Sequence, residues 1–477
     1  MNFKQAEKFI VDLGFKFDGA NNKKRVKYFL RSVGNPGKKL KVIQVVGTAG
    51  KGSVCAFLSS VLQSLDFKVG LFTSPHLQTI LERIQVNSKL ISKTSFARLA
   101  NDFQYKLKMR KISEKLYPSF FEFLTVMALR YFEEQKVDFA VMETGLGGSY
   151  DSVTLSCDPK YFIYTPIGLD HTIILGKTIS KIARDKVGAI KKNSVVVTNN
   201  TEKALRIIQK KCFETRSELI KIERGRNILP QRTQRNRKEH EALCYDDGCL
   251  RIESIELGLK GEYQVYNAEL ALRMIVVLNP RLKPRVDGRM PGIEDEMRRG
   301  LENAFIPGRF ELVSKNPTII LDGAHAPMKM KSFVQSLVKY YASFQTNHER
   351  QRTQTCQHAG RFVFVVGFKA KKNAIGMLKY IIPHAKEIYI VGIKNEHVKW
   401  QDPDKIKIRL DSYLKKQKIK LRIRTFSSGL DIVKKIRKMK KYKKEKIVVT
   451  GSLYLVGEVR ELFCSREEIE KKRRVCV

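Results

Sequence analysis

Residues 42–65, VIQVVGTAGKGSVCAFLSSVLQSL, join a β-branched apolar run, a glycine-rich turn and a longer apolar segment. The short run indicates a buried strand, and the segment that begins at Lys51 indicates a helix. Glycines let backbone N–H groups close around phosphate oxygens, the helix N-terminus adds partial positive charge, and a lysine can reach the outer phosphates. The stretch therefore predicts a phosphate-binding strand–loop–helix unit.

The spacing of this loop departs from the generic phosphate loop, which places four residues between its first glycine and its Gly-Lys pair. Here Gly47 precedes Gly50 by only three positions, and Gly52 separates Lys51 from Ser53. A glycine-rich turn with an incidental lysine is the alternative interpretation.

Outward from this stretch, short β-branched runs alternate with helix-length segments along the whole chain. This rhythm predicts an α/β fold with buried parallel strands, and such sheets bind ligands at the carboxyl ends of their strands. The predicted strands are Val42–Val46, Val69–Phe72, Phe139–Met142, Tyr161–Tyr164, Val195–Val197, Ile319–Leu321, Phe362–Val366, Ile388–Val391 and Ile447–Val449.

The length of 477 residues suggests about two to four domains at roughly 100–200 residues each. A weakly patterned stretch from Leu257 to Phe305 separates the two groups of strands, and Pro307-Gly308 follows it. We therefore predict one domain over residues 1–305 and a second, smaller domain over 306–477.

Several classes of protein are excluded by composition. With 43% hydrophobic residues the chain is not disordered throughout. We see no apolar stretch near the ~18 residues of a spanning helix and no signal peptide, so we expect no membrane association and a cytoplasmic location. The eight cysteines are scattered without the spacing of a zinc module.

The net charge of +43 favours polyanionic partners but says nothing about the fold. The run KKIRKMKKYKKEK at 434–446 has the composition of a nuclear-localisation or RNA-binding patch, and a solvated basic helix is the simpler interpretation. No RNA- or DNA-reading motif accompanies it, so we expect no specific nucleic-acid partner.

Polar residues follow several of the predicted strands. Glu143 comes just after a buried strand, where a carboxylate beside a phosphate loop could hold a hard cation bridging ATP oxygens; a helix-capping acid is the alternative. His171 follows Asp170 at the next strand end and, taken alone, is more often a packed or surface imidazole. Asp322 and His325 lie in a later strand-end turn.

The ordered motifs of the chain resemble the folylpolyglutamate synthase/dihydrofolate synthase family of the Mur ligase superfamily. The form GTxGKGS of the phosphate loop is typical of these amide-forming ligases, and further blocks follow in the family's order over nearly the whole chain. These blocks are TSPHL (73–77), ERI (82–84), SFFEFLT (119–125), ETGLGG (143–148), IGLDHT (167–172), LGKTI (175–179), KVGAIK (186–191), YQ with NA (263–268), PGRF (307–310), LDGAH (321–325) and TGSLY (450–454).

The resemblance implies an N-terminal P-loop-type ATPase domain with a mainly parallel sheet and a C-terminal Rossmann-like α/β domain. It implies an enzyme that uses ATP and two Mg²⁺ ions to join L-glutamate to folates, with dihydropteroate as a further acceptor. The carboxylate would attack the γ-phosphoryl group to give an acyl phosphate, which the glutamate amine then displaces. The expected partners are these small molecules alone, and we expect a monomer.

The resemblance also implies roles for individual residues. Lys51, Lys186, His171, Asp322 and His325 are the expected catalytic residues. ATP would be bound by Gly47, Thr48, Gly50, Lys51, Gly52, Ser53, Gln264, Asn267 and Arg309. Magnesium would be held by Ser74, Glu143, His171 and a carbamylated Lys186. Folate would contact Phe121, Thr125 and Asp151.

The chain departs from the family pattern at several of these motifs. The family has Asn where this chain has Ala49, and again where it has Ala326. It has GGRLDATN where this chain has GGSYDSVT, so that Ser149 replaces an arginine and Thr154 an asparagine. These changes leave open a degenerate relative with weak or redirected activity. The basic composition leaves open a second alternative, a basic nucleic-acid-binding protein on the same fold.

Overall fold

The computed structural model describes residues 1–110, 113–223, 228–231, 242–246, 251–278, 293–342, 362–393 and 399–472. Within these residues the chain forms two units. The N-terminal unit comprises Met1–Gly258 and Gln264–Phe305, and the C-terminal unit comprises Leu259–Tyr263 and Ile306–Lys471.

An eight-stranded sheet forms the centre of the N-terminal unit, in the order β4-β3-β2-β5-β1-β6-β7-β8. Its six strands from β2 to β8 in that order run parallel, and β3 and β4 add an antiparallel edge. The strands are β1 (Val42–Val46), β2 (Val69–Phe72), β3 (Ile84–Val86), β4 (Lys89–Leu90), β5 (Phe139–Glu143), β6 (Tyr161–Tyr164), β7 (Val195–Thr198) and β8 (Glu218–Lys221). All five residues of β1 are buried, as its apolar run predicts.

Helices connect the strands of this sheet. They are α1 (Phe3–Asp12), α2 (Ala20–Ser32), α3 (Lys51–Ser64), α4 (Lys93–Met109), α5 (Phe120–Glu134), α6 (Ser152–Ser156), α7 (Thr172–Leu175), α8 (Ile179–Val187), α9 (Glu202–Thr215), α10 (Tyr263–Leu278) and α11 (Glu294–Glu302), with 3₁₀ turns at Ile80–Arg83 and Glu114–Leu116. A separate antiparallel sheet contains β9 (Ile228–Gln231), β10 (Ala242–Asp246) and β11 (Arg251–Ile255). The first residue of α10, Tyr263, is grouped with the C-terminal unit.

The C-terminal unit is built on a six-stranded sheet in the order β12-β13-β17-β14-β15-β16. Only β12 is antiparallel to its neighbour among these described strands. The strands are β12 (Glu311–Lys315), β13 (Thr318–Leu321), β14 (Phe362–Val366), β15 (Ala385–Val391), β16 (Arg422–Phe426) and β17 (Lys446–Thr450). The helices are α12 (Pro327–Ala342), α13 (Ala374–Ile381), α14 (Pro403–Lys416), α15 (Gly429–Lys438), α16 (Leu453–Arg460) and α17 (Arg466–Lys472), with 3₁₀ turns at Ile382–His384 and Lys440–Tyr442.

The two mainly parallel sheets confirm the predicted α/β class, and all nine predicted strands are present. Parallel strands place their carboxyl ends on one edge of a sheet, so each unit gathers its strand-end turns on one side. In the N-terminal unit these turns follow β1, β2, β5 and β6. In the C-terminal unit the turn after β13 contains Asp322 and His325. None of the helices in the described ranges is both long and apolar enough to cross a membrane.

Candidate active site

The phosphate loop lies between β1 and α3, as the sequence predicts. The backbone N–H of Thr48 donates to the Pro166 carbonyl (3.0 Å), and the Thr48 hydroxyl donates to the Gly168 carbonyl (3.1 Å). Gly47 has φ of +151°, and a Cβ there would lie 1.9 Å from Thr165 Oγ1 and 2.8 Å from the Thr165 carbonyl oxygen. The loop therefore needs glycine at this position because no side chain fits against the 165–168 segment.

Lys51 and Glu143 face each other at the start of α3. The Lys51 ammonium lies 4.0 Å from Glu143 Oε1, and the other carboxylate oxygen accepts the Ser74 backbone N–H at 2.9 Å. The Glu143 side chain is 6% exposed and that of Lys51 18%, which limits solvent screening of this pair. A lysine and a carboxylate from two strand-end turns thus meet beside the loop.

Lys186 reaches the same loop from α8. Its ammonium donates to the Gly47 carbonyl at 2.9 Å, and the residue is only 5% exposed. Burial, followed by the positive charge of Lys51, lowers the pKa of Lys186 to about 7. The sequence around Lys186 is that of a helix surface, but the structure shows a buried amine at this position.

One pocket joins the residues of these turns. It is lined by Gly47, Thr48, Lys51, Gly145, Leu146, Gly147, Asp170, His171, Leu175 and Lys186. His171 precedes α7 with φ of +50°, and its imidazole Nε2 lies 3.9 Å from Asp170 Oδ2. The imidazole is about half exposed at the wall of this pocket.

Two buried amides lie next to the phosphate loop. Asn267 Nδ2 donates to Gln264 Oε1 (2.8 Å), and both residues lie on α10. The Asn267 carbonyl oxygen lies so near Gly50 that a Cβ on that glycine would be 2.4 Å away. The structure thus brings both predicted adenine-contact residues against the loop.

The three predicted folate residues lie near the turn after β5. The Phe121 ring packs 5.5 Å from the Phe72 ring and against Gly145. Thr125 is fully buried, and its hydroxyl donates to the Phe121 carbonyl (2.8 Å), so this hydroxyl is already used within α5. Their contact with folate stays a prediction.

Asp151 has a structural role in the same turn. One carboxylate oxygen accepts the N–H groups of Gly145 and Leu146 (both 3.0 Å), and the other accepts that of Val153 at the start of α6. Burial raises the pKa of Asp151 to about 6 against these hydrogen bonds and the charge of Lys186, which lower it.

The departures in the GGSYDSVT segment have local partners. The Ser149 hydroxyl donates to the Asp185 carbonyl at 2.9 Å. The Thr154 hydroxyl accepts from the amide of Gln44, a fully buried residue of β1 that also donates to Thr144 Oγ1. The changed residues are therefore integrated into the packing around the site.

The side chains of Glu143, Ser74 and Lys186 differ in how well they suit magnesium. Hard cations prefer oxygen ligands, and Mg²⁺ is commonly held by one or two carboxylates together with substrate phosphates. The Glu143 carboxylate and the Ser74 hydroxyl fit that pattern, whereas a Lys186 ammonium does not. Within the described ranges, no cluster of three or more His, Cys, Asp or Glu side chains could hold a metal alone. The oxygen donors of Glu143 and Ser74 thus fit a magnesium ion shared with phosphate oxygens, and the number of ions stays a prediction.

A second cluster lies at the carboxyl end of β13 in the C-terminal unit. Asp322 accepts the backbone N–H groups of Phe310 (2.9 Å) and Ala324 (2.8 Å), and burial raises its pKa to about 6 although Arg309 opposes the shift. Arg309 packs over Gly323, where a Cβ would lie 2.8 Å from its Nη1. Tyr263 is partly buried and lies close enough to Asp322 and Arg309 for both charges to act on its pKa.

His325 in this cluster is held as a neutral imidazole. Its Nδ1–H donates to the Gly323 carbonyl (2.8 Å), since a carbonyl can only accept, and Lys329 Nζ lies 3.2 Å from Nε2. Burial, then the charge of Lys329 and those of Arg309 and Lys372, lowers the pKa of His325 well below its ordinary value, against the Gly323 bond.

Sequence reasoning missed several residues that shape these sites. Lys329 and Gln44 were not singled out, and neither was Arg25. The Arg25 guanidinium is buried and donates to both Glu122 carboxylate oxygens at 2.8 Å, behind Phe121. The position of Lys329 four residues after His325, at the start of a predicted helix, is a signal that could have found it.

Sequence and structure comparisons place this geometry among known proteins. The Mur ligase middle domain matches residues 45–275, and the dihydrofolate synthetase C-terminal domain matches residues 308–462. The "Dihydrofolate synthase/folylpolyglutamate synthase" of Bacillus subtilis is 31% identical over 446 residues, covering 92% of this chain and 94% of the relative.

Solved structures agree with that match. A folylpolyglutamate synthase from Thermotoga maritima superposes with a TM-score of 0.76 at 26% identity, covering 99% of both chains. A complex of a folylpolyglutamate synthase with AMPPCP and folate has a TM-score of 0.75 at 25% identity, covering 97% of this chain and 99% of the other. The chain therefore belongs to the folylpolyglutamate synthase/dihydrofolate synthase family.

Proposed function

We propose that this protein is an ATP-dependent ligase that forms an amide between a folate carboxylate and the amine of L-glutamate. The observation that carries the proposal is the arrangement of Lys51, Glu143 and Lys186 around a phosphate loop. The chain is also similar to a folylpolyglutamate synthase (FPGS) over nearly its full length. The FPGS complex with AMPPCP and folate supports both ligands.

The chemistry requires a better leaving group than oxide on the folate carboxylate. Attack of that carboxylate on the γ-phosphoryl group of ATP gives an acyl phosphate, and the glutamate amine then displaces phosphate. Lys51 lies at the N-terminus of α3, where its charge and the helix dipole stabilise the negative charge that develops on the phosphoryl oxygens. Arg309 in the C-terminal unit is proposed as a further phosphate contact.

Bound magnesium would neutralise phosphate charge and polarise the γ-phosphoryl group. Glu143 and Ser74 are the residues proposed to hold it, together with His171 at the pocket wall. Gln264 and Asn267 are proposed to contact the adenine, and Asp322 and His325 the nucleotide or the incoming glutamate. The Nδ1–H tautomer of His325 makes Nε2 a hydrogen-bond acceptor, and Lys329 Nζ lies 3.2 Å from it.

We propose that the acceptors include dihydropteroate as well as reduced folates. The similarity to the B. subtilis protein, whose name contains both activities, supports this breadth. Phe121 and Asp151 are the proposed contacts because both lie at the turn after β5 that also lines the pocket.

The test is glutamate-dependent phosphate release with Mg-ATP, measured with dihydropteroate, with tetrahydrofolate and without acceptor. Stimulation by both acceptors supports the proposal, and stimulation by one restricts it to that acceptor. In Lys51→Ala we expect a loss of kcat of about 10²-fold or more, typical for a group that stabilises transition-state charge. No stimulation by either acceptor in a protein that still binds ATP would overturn the proposal.

The predicted carbamylation of Lys186 has its own test. A lysine whose pKa is lowered to about 7 is partly unprotonated at neutral pH, and the free amine is the form that reacts with carbon dioxide. We expect activity to fall after removal of bicarbonate and to recover when it is restored. Lys186→Ala should be inactive and insensitive to bicarbonate, whereas the exposed Lys192→Ala serves as the matched control.

A further inference from the structure

The amino edge of the C-terminal sheet, opposite the edge with Asp322 and His325, is strongly basic. Segment 434–444 contains eight Lys or Arg among eleven residues, and segment 415–424 contains six among ten; neither contains an acid. All fourteen of these basic residues are exposed. We call these residues, with Lys386 at the start of β15, the amino-edge surface.

Topology brings the two segments together. Segment 415–424 enters β16, segment 434–444 leads into β17, and Lys386 begins β15; all three strands are parallel and start on the same edge. Side-chain contacts tie them to one another: Glu387 on β15 binds Arg424 (3.1 Å) and the Tyr442 hydroxyl (2.9 Å). The basic residues therefore form one surface.

The segment 434–444 is fixed by its apolar residues. Ile436 and Tyr442 are buried, and the Tyr442 hydroxyl also bonds to that of Tyr389 (2.5 Å). The intervening lysines are thus presented from a folded turn. A helix C-terminus attracts one or two cations, which accounts for basic residues ending α14 and α15 but not for the four lysines at 440, 441, 443 and 444.

Two acids of the strands at this edge are engaged within it. Glu387 is buried and bonded as described, and Glu445 pairs with Lys386. From the start of β17 to the start of β16 the sheet spans three strand spacings, about 14 Å at roughly 4.8 Å each. A nucleic-acid duplex presents about eight phosphates over that distance, at one charge per ~1.7 Å.

We propose that the amino-edge surface binds the phosphate backbone of nucleic acid without reading its sequence. Ile436 and Tyr442 are buried, and Ile419 in segment 415–424 is an exposed apolar residue of this surface, but it is not aromatic. These residues therefore offer no aromatic platform for base stacking, and a single isoleucine is a small apolar wedge for a membrane. Charge density with no aromatic platform fits phosphate contact alone.

The experiment compares two variants of equal net charge in the full-length protein. The first replaces Lys440, Lys441, Lys443 and Lys444 with Gln. The control replaces four exposed lysines of the N-terminal unit, Lys38, Lys39, Lys203 and Lys210, with Gln. Anisotropy titrations use a labelled 24-base-pair RNA duplex, a DNA duplex of the same sequence and a scrambled duplex, between 50 and 200 mM salt.

We expect wild-type protein to bind the three duplexes with a steep salt dependence. The first variant should bind at least tenfold more weakly and lose about three to four units of the log–log salt slope, at about 0.9 per phosphate contact. The control should keep its slope within about one unit. A difference between the RNA and DNA arms identifies the preferred backbone.

Equal weakening of both variants would overturn the proposal, because overall charge would then explain binding. It is also overturned by no duplex binding at 50 mM salt, or by tighter binding to anionic phospholipid vesicles than to either duplex. Glutamate-dependent phosphate release by both variants reports on folding, and its absence in wild-type protein bears on the ligase proposal alone.

Discussion

The pocket of the N-terminal unit and the cluster after β13 in the C-terminal unit each have a similar ion pair nearby. In each pair a buried arginine is joined to a glutamate through two N–H groups, Arg25 to Glu122 and Arg460 to Glu311. Each of these glutamates also accepts a backbone N–H at 2.7 Å, that of Ser119 or that of Gly308, close to a predicted ligand contact.

The two sites differ in what surrounds their functional groups. In the N-terminal unit, a Cβ on Gly47 would meet the Thr165 carbonyl oxygen and the Thr165 hydroxyl, which is itself bonded to the Val46 carbonyl. Lys186 in this unit is held by a backbone carbonyl. In the C-terminal unit, Gly323 faces the ends of the Leu453 and Arg309 side chains, and the His325 ring meets Lys329. The flexible ends of these side chains can move to make room. We therefore expect a substitution in the C-terminal site to cost less free energy of unfolding than one in the N-terminal site.

The largest effect should come from breaking the buried pairs, where both sites should respond alike. Removing one partner leaves an uncompensated buried charge, which costs about 3–5 kcal/mol. We expect Arg25→Met and Arg460→Met each to lose about this much free energy of unfolding. Arg25→Met should be at the upper end because Arg25 also binds Asp18 and Asn22 at 2.8 Å.

Urea unfolding separates these effects. Trp400, the single tryptophan, lies in the C-terminal unit, so its fluorescence reports on that unit, whereas circular dichroism reports on both. Arg25→Met should shift the dichroism transition and Arg460→Met the fluorescence transition. Adding Glu122→Leu to Arg25→Met should recover stability by removing the orphaned carboxylate; no recovery would contradict the buried-charge explanation.

A pH-dependent effect of up to about 3 kcal/mol should come from the two buried aspartates. Asp151 and Asp322 each have a pKa raised from 3.8 to about 6. The folded state holds the proton more tightly, so this contribution is fully present below about pH 4 and is lost as the pH rises through 6. Asp322→Asn and Asp151→Asn should each destabilise the protein at pH 4 and do so less at pH 7.

Stability measured across pH 4–7 checks this prediction, with Asp411→Asn on the exposed face of α14 as the control. A difference from wild type that stays constant over this range would show that the carboxyl group ionises at its ordinary pKa.

The third prediction compares the two tight glycines. Gly47→Ala places a Cβ against the hydroxyl and carbonyl oxygens of Thr165 at a φ unfavourable for alanine, and we expect a loss of about 1–3 kcal/mol together with weakened ATP binding. In Gly323→Ala the Cβ meets flexible side-chain ends, so the loss should be no more than about 1 kcal/mol. Calorimetric ATP titration measures the loss of ATP binding, and thermal unfolding measures the loss of stability. Equal losses of stability in the two variants would contradict the idea that the surroundings of Gly47 are more rigid than those of Gly323.

The sequence predicted the strands that carry these sites because continuous β-branched runs mark buried parallel strands. Among the described strands it missed eight, namely β3, β4, β8 to β12 and β16. Edge strands such as RIRTF (422–426) alternate charged and apolar residues and have few buried positions. The phosphate loop was predictable because Gly47, Lys51 and Ser53 have the residue types and the short spacing that phosphate binding requires.

Residues that act through long-range contacts were not predictable in this way. The Arg25–Glu122 pair joins positions 97 apart, and Gln44 meets Thr154 across 110 residues. The burial of Lys186 depends on how α8 packs against the turn after β1, and the residue's own sequence context is that of a helix surface. A sequence shows residue types directly, but contacts between distant positions form only in the folded chain.

The smallest expected change in stability is that of a Lys329 substitution. In the C-terminal site the Lys329 side chain lies against His325, whereas in the N-terminal site a backbone carbonyl holds Lys186. The Lys329 ammonium lies 3.2 Å from His325 Nε2, beside Ala326, where the family has an asparagine. In Lys329→Met the stability should change by no more than about 0.5 kcal/mol, but the pKa of His325 should rise because one nearby positive charge is lost. NMR titration of the imidazole, assigned with His325→Gln, measures the shift, and the exposed Lys331→Met on the same helix is the matched control. If the pKa of His325 is the same in the two lysine variants, then burial together with Arg309 and Lys372 keeps His325 neutral. Lys329 then has no electrostatic role beside Ala326. If only Lys329→Met shifts the pKa, a side-chain cation four residues along α12 sets the charge state of this imidazole, whereas the N-terminal site holds Lys186 through a backbone carbonyl.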